Sequence, residues 1–170
     1  EKYKENLINL GEEQFRVFFT GNTAYVNIDN VRDIPKVDLY ERVGLNKEKY
    51  VVLLKHPLSS EVDGSYRQMK VTLEALRTFC DKYDYQVVCI PPNSDPGSFE
   101  MLRAINECRE ESWFLISETL PRLEFVNLMR RASALIGNSS MGILEAPHYK
   151  LPAINIGNCQ KGRLNDGNVE

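Results

Sequence analysis

The chain reads as an α/β protein with a doubly wound parallel sheet, and three observations lead there. Short runs rich in β-branched and aromatic residues alternate with longer stretches whose apolar residues recur at three- and four-residue steps. Several of the short runs are apolar without alternation, as strands buried on both faces of a parallel sheet must be. Polar, glycine-bearing motifs follow these runs directly, so they collect beyond the carboxyl ends of the strands, where open α/β sheets hold ligands.

Taken in order, residues 15–20 predict a first strand, which runs into Gly21-Asn22. Residues 36–43 predict a short helix ending near Gly44. Residues 50–54 predict the next strand, with His56-Pro57 at its exit. A long helix over 65–83 follows, its inner stripe made by Met69, Leu73, Leu76, Cys80 and Tyr83. Strand 86–90 leads into Pro92-Asn93-Ser94-Asp95-Pro96-Gly97-Ser98, where Asp95 and Ser98 suit a turn and helix start. Leu102, Ile105 and Cys108 stripe the helix beyond it. Strand 113–116 is followed by Pro121, suited to a first helical position, and by the stripe Phe125, Leu128 and Met129. Runs 134–136 and 153–156 supply the last two strands.

The 170 residues suit one ordinary domain with its own core, spanning 1–170. Twenty-one basic against 24 acidic side chains leave a net charge of -3, which predicts no nucleic-acid footprint. No apolar run approaches membrane-spanning length, and the polar start predicts no signal segment and no membrane partner. Four cysteines without C-x-x-C spacing and only two histidines argue against zinc, so no metal site is expected. Reduced, mostly buried thiols suit a reducing compartment, and the expected location is cytoplasmic.

The segment Leu135-Ile136-Gly137-Asn138-Ser139-Ser140-Met141-Gly142-Ile143-Leu144-Glu145-Ala146-Pro147 carries the chemistry. A strand runs into small and hydroxylic residues, and a helix with a carboxylate on its second turn follows. Free N–H groups at a helix start, with the Ser139 and Ser140 hydroxyls, can donate to phosphate oxygens. Gly137 and Gly142 would let backbone approach a ligand, and Glu145 could accept from two ribose hydroxyls. An ordinary capped helix start accounts for the same residues. His148, after Pro147, reads as surface or packing.

Asn138-Ser139-Ser140-x-Gly142-x-x-Glu145-Ala146-Pro147, then Lys150-x-Pro152-x-Ile154-Asn155-Ile156-Gly157, then Gln160-x-Gly162-Arg163, resembles the hydrolysing UDP-N-acetylglucosamine 2-epimerases. Gly21-Asn22, His56-Pro57 and Pro92-Asn93-x-Asp95-x-Gly97-Ser98 extend the match upstream in the same order. The resemblance implies the Rossmann-like C-terminal half of a two-domain GT-B-type epimerase fold. It implies that the partner N-terminal domain, which carries the acids and bases acting at sugar C2, is absent from this chain.

By that resemblance His56 is the catalytic residue, facing the sugar–diphosphate. Asn93, Leu120 (through its backbone), Ser139, Ser140, Gly142, Glu145 and Arg163 bind UDP. No cofactor is implied; the partners are a UDP-sugar, the missing domain and, in the full-length protein, further copies of itself. The implied reaction releases UDP with loss of the C2 proton, then adds water to give free N-acetylmannosamine for sialic-acid-type synthesis. This half holds UDP and stabilises charge on its β-phosphate. Cys159 stands where the family usually carries arginine, and Met141 where small residues are common. Two alternatives are a GT-B glycosyltransferase nucleotide-binding domain and a non-catalytic nucleotide-sugar-binding module. The joint occurrence of Asn138-Ser139-Ser140-x-Gly142 and Gln160-x-Gly162-Arg163 argues against the first.

Overall fold

A computed structural model of the protein describes residues 2–118, 120–163 and 167–170. The chain forms two compact units, Glu1–Asn30 and Val31–Glu170. The first holds α1 (Lys2–Asn9), a 3₁₀ turn (Gln14–Arg16) and α2 (Ala24–Asp29). The strand expected over 15–20 does not form. Extended backbone needs a neighbour for its N–H and C=O groups, and the sheet draws all its strands from the second unit. Phe15, Phe18 and Phe19 are accordingly exposed. Gly21-Asn22 therefore follow no strand; Asn22 Oδ1 accepts from the Ala24 N–H at 3.0 Å and opens α2.

The second unit runs α3 (Lys36–Val43), β1 (Tyr50–Leu54), α4 (Ser65–Tyr83), β2 (Gln86–Cys89) and α5 (Ser98–Asn106). It continues with β3 (Phe114–Ile116), α6 (Arg122–Arg131), β4 (Leu135–Gly137), α7 (Met141–Leu144), a 3₁₀ turn (Ala146–Tyr149) and β5 (Ala153–Asn155). All neighbouring strands are parallel, in the order β3-β2-β1-β4-β5. This is the doubly wound sheet that the unalternating strands predict.

β1 is central and buried along its whole length. Its residues divide by parity. Val51 and Leu53 join Met69, Leu73 and Leu76 of α4 and Met101 and Ile105 of α5. Tyr50, Val52 and Leu54 join Leu39 of α3, Leu128 and Met129 of α6 and Met141 of α7 on the other face. Fully buried Asn127 ties α6 to the preceding segment: its Oδ1 accepts from the Ile34 N–H, and its Nδ2 donates to the Arg32 and Leu123 carbonyls. Cys80 and Cys89 are buried and Cys159 is exposed.

Two local expectations need correction. Pro121 caps α6 from outside, with extended ψ of 152°, instead of taking its first helical position. The helix expected to carry Glu145 on its second turn stops after Leu144, leaving Glu145 at a junction with φ −122° and ψ −36°. Pro147 has no N–H for the Ile143 carbonyl and disfavours helical backbone at Ala146, so the α-helix cannot continue. Among the described residues no helix is long and apolar enough to cross a membrane.

Candidate functional site

The strand order reverses between β1 and β4, so the chain leaving β1 turns to α4 on one face and the chain leaving β4 turns to α7 on the other. The crevice at such a switch point is where a doubly wound sheet takes ligands. His56 and Asn138 meet there.

His56 is half-buried at the tip of β1. Its backbone N–H donates to Asn138 Oδ1 at 2.7 Å, and its carbonyl accepts from Asn138 Nδ2 at 2.8 Å. Ring Nδ1 accepts from the Asn93 N–H at 3.2 Å, which leaves the proton of the neutral ring on Nε2. Burial lowers the imidazole pKa, against the opposing pull of the Asp95 carboxylate, and so favours the neutral ring near pH 7.

On the β4 side, Gly137 has φ +148°, and a Cβ there would sit 1.9 Å from the Leu54 carbonyl oxygen. The two strands therefore approach through backbone alone. Beyond it, Ser139 Oγ accepts from the Met141 N–H at 3.3 Å, and Ser140 is the N-cap of α7, although its hydroxyl caps nothing. The Ser139 and Ser140 N–H groups donate to no atom of the described residues. These donors and the Ser140 hydroxyl can serve an anion.

Gly142 is buried, and a Cβ there would lie 3.3 Å from Ala153 Cβ. In the structure its missing side chain lets α7 pack on β5. The half-buried Glu145 stands near Tyr149, whose hydroxyl is buried without a partner among the described residues. Burial, and then the Glu145 carboxylate, push that phenol up to about 12. Asn93 is exposed, and its Nδ2 donates to Asp95, leaving its Oδ1 open. Leu120 packs against the core face that holds α6.

Arg163 is exposed, and its guanidinium makes no ion pair among the described residues. Its N–H reaches the Gln160 carbonyl at 3.2 Å, while buried Gln160 donates from Nε2 to the Asn138 carbonyl at 2.7 Å. His56, Asn93, Asn138 and Gln160 are thus one hydrogen-bonded group. Among the described residues, no hydrogen bond joins Leu120 or Glu145 to it.

Sequence reasoning missed Lys55. It continues the Val51–Leu53 row toward α4, is only 4% exposed, and donates from Nζ to the Gln68 carbonyl at 2.9 Å and to Thr72 Oγ1 at 2.8 Å. Burial lowers its pKa to about 8. It lines a cavity of about 480 Å³ with Gln68, Thr72, Asn138 and Asn158. The available signal was a lysine at the inward parity of an apolar strand. Among the described residues, no cluster of three or more His, Cys, Asp or Glu could hold a metal ion.

Comparison with known proteins gives the chain a family. The family model for UDP-N-acetylglucosamine 2-epimerase matches residues 1–169. A GDP/UDP-N,N'-diacetylbacillosamine 2-epimerase (hydrolyzing) of Campylobacter jejuni is 36% identical over 99% of this chain and 44% of its own length. A UDP-N,N'-diacetylbacillosamine 2-epimerase (hydrolyzing) of Legionella pneumophila is 29% identical over the same shares. The chain thus spans less than half the length of these curated relatives. Among solved structures, the UDP-GlcNAc 2-epimerase of Neisseria meningitidis bound to UDP-GlcNAc superimposes with TM-score 0.67 at 18% identity. That superposition covers 89% of this chain and 41% of the other, and at such identity it speaks for the fold alone. By the family match across nearly its whole length, the chain belongs to the UDP-N-acetylglucosamine 2-epimerase family.

Proposed function

We propose that this chain is the UDP-binding C-terminal half of a hydrolysing UDP-sugar 2-epimerase. The observation that carries the reading is the meeting, at the sheet's switch point, of a histidine whose Nδ1 is engaged by the Asn93 N–H with Ser139 and Ser140 N–H groups that donate to none of the described residues. Nε2–H of His56, those two N–H groups and the Ser140 hydroxyl are suited to diphosphate oxygens. Arg163 is a mobile-length cation for the same charge. Glu145 would accept from the ribose hydroxyls, and Asn93 and the Leu120 backbone would meet the base. Donors aimed at the β-phosphate stabilise the charge that grows there as UDP leaves C1. The C2 proton is taken by a base supplied by the other half of the protein, as is the surface that closes over the sugar.

Full-length turnover of UDP-N-acetylglucosamine would release UDP and N-acetylmannosamine. The names of the Campylobacter and Legionella relatives favour a second sugar, the 2,4-diacetamido-6-deoxy compound N,N'-diacetylbacillosamine, on the same nucleotide. Calorimetric titration of this chain with UDP should show weak binding, and incubation with either UDP-sugar should release no free sugar. Adding the rest of the protein should restore release, and scoring both sugars assigns the substrate. Epimerisation by this chain alone would overturn the half-enzyme reading, and absence of any UDP binding would overturn the nucleotide site.

A further inference from the structure

We infer that Asn138 is the positioning residue of this site, its side-chain amide holding the His56 backbone so that the ring presents Nε2–H to the ligand. The inference rests on the reading of His56 as a diphosphate donor. β1 and β4 stay paired as far as Leu54 and Gly137, where the Leu54 carbonyl already fills the place of a side chain. One step further, the primary amide of Asn138 takes the place of a backbone pair. It accepts from the His56 N–H at 2.7 Å and donates to the His56 carbonyl at 2.8 Å. Fixing both polar groups of one residue fixes the direction of its Cα–Cβ bond, and the contact of Nδ1 with the Asn93 N–H then selects the ring orientation and tautomer.

Asn138 is 4% exposed, so water competes little for these bonds. Helix capping does not explain the residue, because Ser140 is the N-cap of α7 and the Asn138 amide is spent on β1's exit. From the opposite side Gln160 donates to the Asn138 carbonyl, so the loop that bears Arg163 hangs from the same point. Aspartate could accept from His56 but not donate to it, and alanine could do neither.

Nitrogen NMR of this chain, labelled in histidine, tests the inference without any ligand. In the unsubstituted protein the neutral His56 ring should carry its proton on Nε2. In folded Asn138→Ala the two tautomers should mix, and the Asn93 amide should exchange at least about tenfold faster, with distant sheet amides less affected. Asn138→Asp, which keeps one of the two bonds, should fall between. An Nδ1–H ring in the unsubstituted protein would overturn the inference whatever the variants do. So would an unchanged tautomer and unchanged Asn93 exchange in folded Asn138→Ala. Loss of folding in both variants would assign Asn138 to folding instead of positioning. Failure of the unsubstituted chain to bind UDP, with clamp-dependent tautomers intact, would sink the nucleotide reading and leave the positioning role standing.

Discussion

Replacing Lys55 by methionine should stabilise the protein at neutral pH by about 1–2 kcal/mol. The lysine lies 4% exposed in the row that faces α4, and burial holds its ammonium at about 8 against an ordinary 10.5. Keeping it charged below that range costs about 3 kcal/mol. Methionine fills the same space but gives up two hydrogen bonds, together worth about 1–3 kcal/mol net, and the balance is a modest gain. No acceptor is orphaned by the change. Thr72 Oγ1 still donates to the Gln68 carbonyl at 2.9 Å, and water in the adjoining cavity can replace the rest. The pH dependence is the sharper test. With the folded pKa below the unfolded one, the unfolded chain binds more protons between about 8 and 10.5, so the lysine protein gains stability as pH rises through that window. The advantage of Lys55→Met should be full below pH 8 and fade toward 10.5. Urea denaturation of both proteins across that span measures it. A stability difference that stays constant with pH, or a variant clearly weaker at pH 7, would refute the reasoning.

Two further perturbations bear on the crevice. Glu145→Gln should weaken UDP by about 1.5–3 kcal/mol and hardly alter binding of 2′,3′-dideoxy-UDP, measured by calorimetry; equal weakening of both would detach Glu145 from the ribose. Gly137→Ala should cost more than about 3 kcal/mol in urea denaturation, because the new methyl would have to displace the Leu54 carbonyl at an already left-handed φ of +148°. A cost below about 1 kcal/mol would mean that β1 and β4 can part there without loss.

The sheet was legible because its signals are local. Tyr50–Leu54 is apolar at every position, and the stripe from Met69 to Cys80 repeats over a long helix, so both elements have the bounds their residues predict, although Tyr83, expected to continue the stripe, is exposed at the helix end. Residues 15–20 look just as strand-like, but a strand is a relation between two segments, and among the described residues the run has no strand partner. The short α7 illustrates a competing local rule, in which a proline three residues beyond Leu144 outweighs the apolar periodicity before it. Within the crevice, Ser139, Ser140 and His56 were readable as strand-end residues of useful chemistry. The role of Asn138 was not, since its two bonds span 82 positions and that of Gln160 spans 22. Gly142 carries no mark in the sequence to separate close approach to a ligand from its contact with Ala153.

The backbone contact at Gly137, together with the paired bonds of Asn138, has a consequence for binding entropy. The exits of β1 and β4 are joined at backbone level at Gly137 and by a buried amide one residue further on, so the spacing of His56 and Ser139 is set by the fold itself. On the proposed reading, an anion arriving there would find its donors already set and have little ordering left to cause, which would favour a fast, small-amplitude capture step. If the crevice holds a sugar diphosphate as proposed, selectivity between sugars would not come from closure of these two loops. It would have to come from groups that contact the sugar itself.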